Sequence, residues 1–279
     1  MLPPWLPAQA VQVVLAVTGA PAPDAVNGEL LRRWGSSEVW RLSYGLSSVI
    51  VKRGTDAQAG EAAAYERFVV PLGLPAPELL SAADGVLVLA DVGRVTLEQE
   101  PAADDFLAAA ELVARIRSAP VDGPSEFPPA RVKELGARIG RVDVDLDPLV
   151  DALDRLHRDA PVRVVHGDFV PKNLVSDGTR WTVVDWPLAY LAPHLSDLYT
   201  LVRDAATFGH DREPIVARYV EAAGADPFLV DRQLLVGGAC FCLLALTFLV
   251  EEGQRTIPGS SEWIDPLLSE LTGLVAELS

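Results

Sequence analysis

Apolar positions follow two rhythms along the chain, and the change from one to the other falls near residues 90 to 95. Before it, short runs separated by turn residues read as strands: Glu29 to Trp34, Val39 to Ser43, Ser47 to Lys52, and the wholly apolar Gly85 to Ala90. Residues 7 to 17 and Gly60 to Val70 have helical composition, the second closed by Pro71 and Gly73. After Asp91-Val92-Gly93 the spacing turns helical, over Asp104 to Ser118, Pro129 to Ile139 and Pro148 to Arg158. Two short apolar strands interrupt it, Arg163 to Val165 and Trp181 to Val184. Helices resume from Asp197, with Pro214 to Ala223, Asp231 to Glu251 and a last one from Ser261. The pattern predicts an α+β chain: a small β-rich unit over residues 1–90 with a helix ahead of its strands, a connector at 91–95, and a larger, mainly helical part over 96–279.

Composition narrows what such a chain does. With 279 residues, 49% of them hydrophobic, a substantial core is available. The net charge of -16 and the lack of any dense Lys/Arg cluster argue against nucleic acid as partner, since that binding relies on neutralising phosphates. Cys240 and Cys242 lie two apart in a helical stretch, so their side chains diverge, and neither a disulfide framework nor a zinc spacing is expected. Met1 to Ala22 is apolar but has no basic start, which a signal peptide needs. Leu234 to Val250 carries no charge but is diluted by Gly237, Gly238 and Thr247, and falls just short of the ~20 residues that span a bilayer. It reads as a buried core helix. The expectation is a cytoplasmic protein with no membrane partner; the sequence does not choose between monomer and homodimer.

The densest chemistry lies in Val164-Val165-His166-Gly167-Asp168-Phe169-Val170-Pro171-Lys172-Asn173-Leu174-Val175 and Trp181-Thr182-Val183-Val184-Asp185-Trp186. Asp168 and Asn173 sit on a loop leaving one apolar strand, and Asp185 sits where the next ends. Three oxygen-bearing side chains are thereby free to converge. Carboxylate and amide oxygens are the ligands Mg²⁺ prefers, and a spare carboxylate accepts a proton from an attacking hydroxyl.

His166-Gly167-Asp168 with Asn173 five residues beyond the Asp, followed by Asp185-Trp186, resembles the catalytic loop and metal-binding Asp of the aminoglycoside phosphotransferase/choline kinase family. The resemblance covers Glu29 to Asp197 and is strongest over residues 164 to 198. It implies a bilobal protein-kinase-like fold, with a small β-rich N-lobe and a mainly helical C-lobe. It also implies ATP or GTP as phosphoryl donor, Mg²⁺ as metal, and a small-molecule hydroxyl as acceptor. By this analogy Asp168 is the catalytic base, Asn173 and Asp185 hold the metal, and His166 and Asp197 are structural support. The Gly common a few residues before the last Asp is replaced here by Ala192.

The first ninety residues offer matching parts. Lysine is rare, limited to Lys52, Lys133 and Lys172, and Lys52 ends the run Ser48-Val49-Ile50-Val51-Lys52 in the manner of the strand lysine of kinases. Glu61 aligns best as its ion-pair partner, with Glu66 as the fallback. Gly35, Ser36 and Ser37, between two strands, resemble the nucleotide-positioning loop, where small residues let the backbone approach phosphates. Leu89 and Asp91 resemble the hinge whose backbone groups read the adenine edge.

Two other readings compete. A metal-dependent phosphohydrolase would use His166, Asp168, Asp185 and His194 as ligands but leaves Lys52 and Glu61 without a role. A pseudokinase would bind nucleotide without transfer; the sparse glycine loop favours it, whereas Asp168, Asn173, Asp185 and Lys52 together speak against it. The short span between Asp185 and Asp197 leaves no room for a long activation loop, which favours a small acceptor over a protein.

Overall fold

The computed structural model describes residues 1–34, 37–54, 59–99, 101–140 and 142–279. They divide into two compact units, one of Met1–Gln99 with Lys172–Leu188, the other of Glu100–Pro171 with Ala189–Ser279.

In the first unit α1 (Ala8–Thr18) precedes three strands, β1 (Asn27–Trp34), β2 (Ser37–Tyr44) and β3 (Ser47–Arg53). A helix follows, α2 (Glu61–Ala64), running through a π-helical turn at Tyr65–Val69 into α3 (Val70–Leu72) and stopping at Gly73, which takes the left-handed φ of 59°. The sequence pattern closes this helix with Pro71 and Gly73; the chain passes Pro71 and stops at Gly73. Proline cannot donate to the carbonyl four residues back, and the wider π turn just ahead of it accommodates that missing bond. Then come β4 (Leu79–Ala83) and β5 (Val86–Ala90), giving a wholly antiparallel sheet of order β1-β2-β3-β5-β4. Val49 and Val51 of β3 and Val86 and Val88 of β5, spaced by two, bury one face against Ala10 and Val14 of α1.

The unit continues past the connector expected at 91–95. There β6 (Val95–Thr96) pairs with β8 (Leu174–Ser176), which pairs with β9 (Trp181–Val183). This ladder gives Lys172–Leu188 to the first unit, although the sequence pattern left it with the helical part. Gly93 shows why only glycine serves between β5 and β6. Its φ is 121°, and a Cβ there would meet the Ser176 carbonyl oxygen at 2.0 Å.

The second unit is helical apart from β7 (Arg163–Val165), paired antiparallel with β10 (Tyr190–Ala192). Its helices are α4 (Ala103–Ser118), α5 (Pro129–Ile139), α6 (Asp147–Asp159), α7 (Ser196–Thr207), α8 (Arg212–Ala223), α9 (Pro227–Phe248), α10 (Gln254–Thr256) and α11 (Ile264–Leu278). The apolar α9 is the axis of the core: Val236, Ala239, Cys240, Leu243 and Leu246 pack with Leu149, Leu153 and Leu156 of α6 and Leu271 of α11. Pro227–Thr256 is long and apolar enough to cross a membrane, but 67% of its apolar window is buried inside the protein. A Cβ on Gly237 would come within 2.6 Å of the Leu195 and Ser196 backbone, so glycine lets α9 press against the start of α7.

Candidate active site

Within the first unit three sequence-predicted residues meet. Lys52 is buried on β3, and an ammonium is costly to bury unless paired. Two carboxylates pair it: Glu61, the first residue of α2, at 2.5 Å, and Asp185. Burial works to lower the Lys52 pKa, but the Glu61 and Asp185 charges outweigh it and hold the amine above its ordinary value. Glu61 is pushed up, first by burial and further by Asp185, against the pull of Lys52. Its other oxygen accepts the backbone N–H of Trp186 at 3.3 Å, so one side chain grips both the lysine and the chain just after Asp185. Glu66, the fallback partner, is exposed one turn further on.

Asp185 has a φ of 70°, and a left-handed residue other than glycine is uncommon and mildly strained. The surroundings hold it there. The Val184 N–H donates to the Asn173 carbonyl at 2.9 Å, and Trp186 is fully buried with its indole N–H on the Val183 carbonyl at 2.9 Å. Asn173 is itself buried beside β8. Arg32 of β1 approaches the second Asp185 oxygen at 3.6 Å. The sequence reading did not single it out; the only signal was a pair of arginines directly ahead of the Trp34-Gly35-Ser36-Ser37 loop.

Gly35 and Ser36 lie outside the described residues, while Ser37 opens β2 opposite Trp34. Leu89 is buried in β5, paired with Ile50 and Leu79. Asp91 is occupied by other work: Arg41 donates to its two oxygens at 2.6 and 3.1 Å, Ser48 at 2.7 Å and the Gly93 N–H at 3.1 Å. Arg41 also holds the Gly93 carbonyl at 2.6 Å. Burial opposes ionisation of Asp91, but these donors outweigh it and keep its pKa below the usual range. The Asp91 carboxylate therefore fixes the chain leaving β5, and a ligand reading this stretch has the backbone to use.

In the second unit the chain leaves β7 into His166-Gly167-Asp168. Asp197, at the start of α7, accepts the His166 N–H at 2.7 Å and the Gly167 N–H at 3.0 Å, one on each oxygen. It is deeply buried, which pushes its pKa up against those bonds and the nearby His166. Gly167 takes a φ of 84°, the Asp168 N–H points to the His166 ring at 3.3 Å, and Thr200 of α7 holds the Phe169 carbonyl at 2.9 Å. His166, Gly167 and Phe169 are thus pinned by α7, leaving Asp168 between them half-buried while His166 and Phe169 are sealed. His194, a ligand in the phosphohydrolase reading, is fully buried, with the Phe127 ring edge-on at 5.3 Å. Among the described residues no three His, Cys, Asp or Glu side chains group as a metal nest.

Asn173 and Asp185 carry the hard oxygen donors Mg²⁺ takes, and the Asp185 carboxylate already draws two cationic side chains. The residues present fit that ion.

The fold has many known counterparts. Choline kinase LicA from Streptococcus pneumoniae matches with a TM-score of 0.63 at 16% identity, over 90% of this chain and 94% of that one. A choline/ethanolamine kinase family protein from Mesorhizobium loti matches with a TM-score of 0.67 at 18% identity, over 94% and 97%. A thermostable mutant of aminoglycoside phosphotransferase APH(4)-Ia, in ternary complex with AMP-PNP and hygromycin B, matches with a TM-score of 0.58 at 16% identity, over 97% and 98%. The architecture is thus the α+β kinase-like one, a β-sheet N-terminal region with a helical C-terminal part. No curated protein sequence matches the chain. Residues 18–232 match the phosphotransferase enzyme family, and since that span is most of the chain and contains Lys52, Glu61, Asp168, Asn173, Asp185 and Asp197, the chain belongs to this family.

Proposed function

We propose that the protein transfers the γ-phosphoryl group of ATP, with GTP as the alternative donor, to a hydroxyl of a small molecule that is aminoglycoside-, choline- or sugar-like. The observation that carries this is the buried Lys52–Glu61–Asp185 cluster, with Asp185 held in a left-handed conformation and Glu61 bonded to the following N–H. Such strain persists only where the surroundings impose it, and it clusters at functional sites. The named relatives support the acceptor class: two are choline or choline/ethanolamine kinases, and a third was crystallised with an ATP analogue and hygromycin B.

In this mechanism Lys52, kept charged by its two acids, holds the donor phosphates. Asn173 and Asp185 hold Mg²⁺, which when bound supplies neutralisation of phosphate charge. Asp168 orients the acceptor hydroxyl and takes its proton as the oxygen bonds to phosphorus, while the bond from phosphorus to the departing nucleoside diphosphate breaks. Asp197 contributes by fixing the turn that presents Asp168.

Thermal stability with Mg²⁺ plus ATP or GTP tests the donor, because a ligand at ~100 times its dissociation constant stabilises by about 2.7 kcal/mol. A panel of hydroxylated acceptors in the same plate then tests the acceptor. Asp168→Asn keeps the nucleotide shift and loses acceptor-dependent turnover by about 100-fold or more. No shift of the wild type with either nucleotide would remove the proposal; near wild-type turnover of Asp168→Asn would remove the base.

A further inference from the structure

Glu38, the second residue of β2, is buried at 8% exposure, yet the proposed chemistry gives it no part. The strand register sets it opposite Arg33 of β1 and Arg53 of β3. Its Oε1 faces both guanidinium groups, Arg33 at 3.1 Å and Arg53 at 3.5 Å. Its Oε2 accepts two indole N–H bonds, from Trp40 and Trp5, each at 2.8 Å. These bonds, that of Trp40 first, keep the Glu38 carboxyl below its ordinary pKa although burial works the other way. Such a carboxylate has no capacity left for a ligand. It is a staple.

What it staples is specific. Ser37, its neighbour, opens β2 opposite Trp34, and Val39, its other neighbour, stands opposite Lys52. Arg53 follows Lys52 directly. It has two anchors here, the Glu38 carboxylate and the Trp5 ring, over which its guanidinium lies at 4.8 Å, and its own buried Nε has no hydrogen-bond partner among the described residues. Trp40 lies on the same strand as Glu38 and brings in no new element. Trp5 comes from outside the sheet, ahead of α1, and touches both Glu38 and Arg53.

We infer that Trp5 is a positioning residue for the nucleotide: its indole orients Glu38 and Arg53, and through them holds the ends of β1, β2 and β3 that carry Ser37 and Lys52. The inference rests on the reading of the first unit as the nucleotide site. Without the Trp5 N–H, Oε2 keeps one donor instead of two, and the carboxylate is free to turn toward either arginine. The Lys52 end of β3 then loses a fixed neighbour, while Lys52 itself and its two acids are untouched. The consequence is weaker phosphate binding rather than slower chemistry.

Trp5→Phe, which keeps an aromatic face for Arg53 and removes the N–H, and Glu38→Gln, which keeps the shape and removes the charge, are compared with wild type by calorimetric titration of Mg·ATP. Acceptor-dependent kinetics are measured alongside. The expected result is a dissociation constant and nucleotide KM raised about three- to tenfold in each variant, with kcat at saturating nucleotide within about twofold of wild type. Hydrogen exchange on the wild type adds a measurement that needs no variant. Linkage requires nucleotide to protect what it depends on, so the Leu6 amide, bonded to the Pro3 carbonyl at 3.1 Å, exchanges more slowly with Mg·ATP. Unchanged nucleotide affinity in both variants, or a fall in thermal stability alone, overturns the inference, as does Leu6 exchange indifferent to nucleotide. A wild type that binds no nucleotide overturns the function reading along with it, which tells the two failures apart.

Discussion

Replacing Lys52 with methionine probes the buried cluster where the structure makes the outcome calculable. Methionine keeps an apolar stem of similar length, so the packing loss is small, and the charge is the main thing removed. Glu61, 2% exposed, then sits beside Asp185 with no shared cation. Removing one partner of a buried pair costs about 3–5 kcal/mol, but Glu61 has an escape, because it takes up a proton. From its ordinary pKa of 4.5, neutralising a carboxyl at pH 7 costs about 3.4 kcal/mol, and this caps the Glu61 contribution. With roughly 2–4 °C per kcal/mol for a chain of this size, Tm falls by up to about 7–14 °C at pH 7. The sign with pH follows from linkage: the folded variant binds a proton the unfolded chain lacks, so its deficit shrinks by about 1.4 kcal/mol per unit as pH drops toward 4.5. Scanning calorimetry of both proteins from pH 5 to 8 reads this directly. A deficit under about 1 kcal/mol, or one that does not change with pH, would refute the assignment of Glu61 as a buried acid held by Lys52.

Two further outcomes follow from the same kind of reasoning. Gly93→Ala places a Cβ 2.0 Å from the Ser176 carbonyl oxygen at a φ of 121°, so it is expected to cost about 3 kcal/mol or more, visible in urea unfolding; a neutral variant would contradict the close β6–β8 approach. His194 is buried without a hydrogen-bond partner among the described residues, and burial first, then the Arg117 charge, lowers its pKa from 6.5 to about 3. The unfolded chain takes up a proton there that the folded chain refuses, so wild type loses about 2 kcal/mol of stability through this group between pH 7 and 5. His194→Phe removes that loss, and equal acid sensitivity in the two proteins would overturn the assignment.

Most of the long elements were legible. Pro129–Ile139 and Arg163–Val165 have the bounds the pattern predicted, because each shows a full helical face or an apolar run between turn residues. The strands β4, β6, β8 and β10 were not read. Those of two or three residues carry no period, and Leu-Leu-Ser-Ala-Ala in β4 looks neither alternating nor wholly apolar. Their strand character comes from a partner already in place, which a local pattern does not contain. The site divides in the same way. The spacing of His166, Asp168, Asn173 and Asp185 is local and visible, whereas Glu38 meets Arg33 and Arg53 through strand register, and Arg32 and Arg41 reach Asp185 and Asp91 through tertiary contacts, so none of the three carried a signal of its own.

The sequence by itself determined the two rhythms of the chain, the residue types available for phosphoryl chemistry and their order along it, since these depend on neighbours a few positions apart. The tertiary structure decided which acid meets Lys52, that Lys172–Leu188 joins the first unit, and that the Asp91 carboxylate is used up on Arg41. Those choices turn on contacts that no local pattern contains, such as Lys52 with Asp185, 133 positions apart, and Arg41 with Asp91, 50 apart. There the unpaired backbone of short strands and the high cost of leaving a buried charge alone select one pairing from several that the sequence allows.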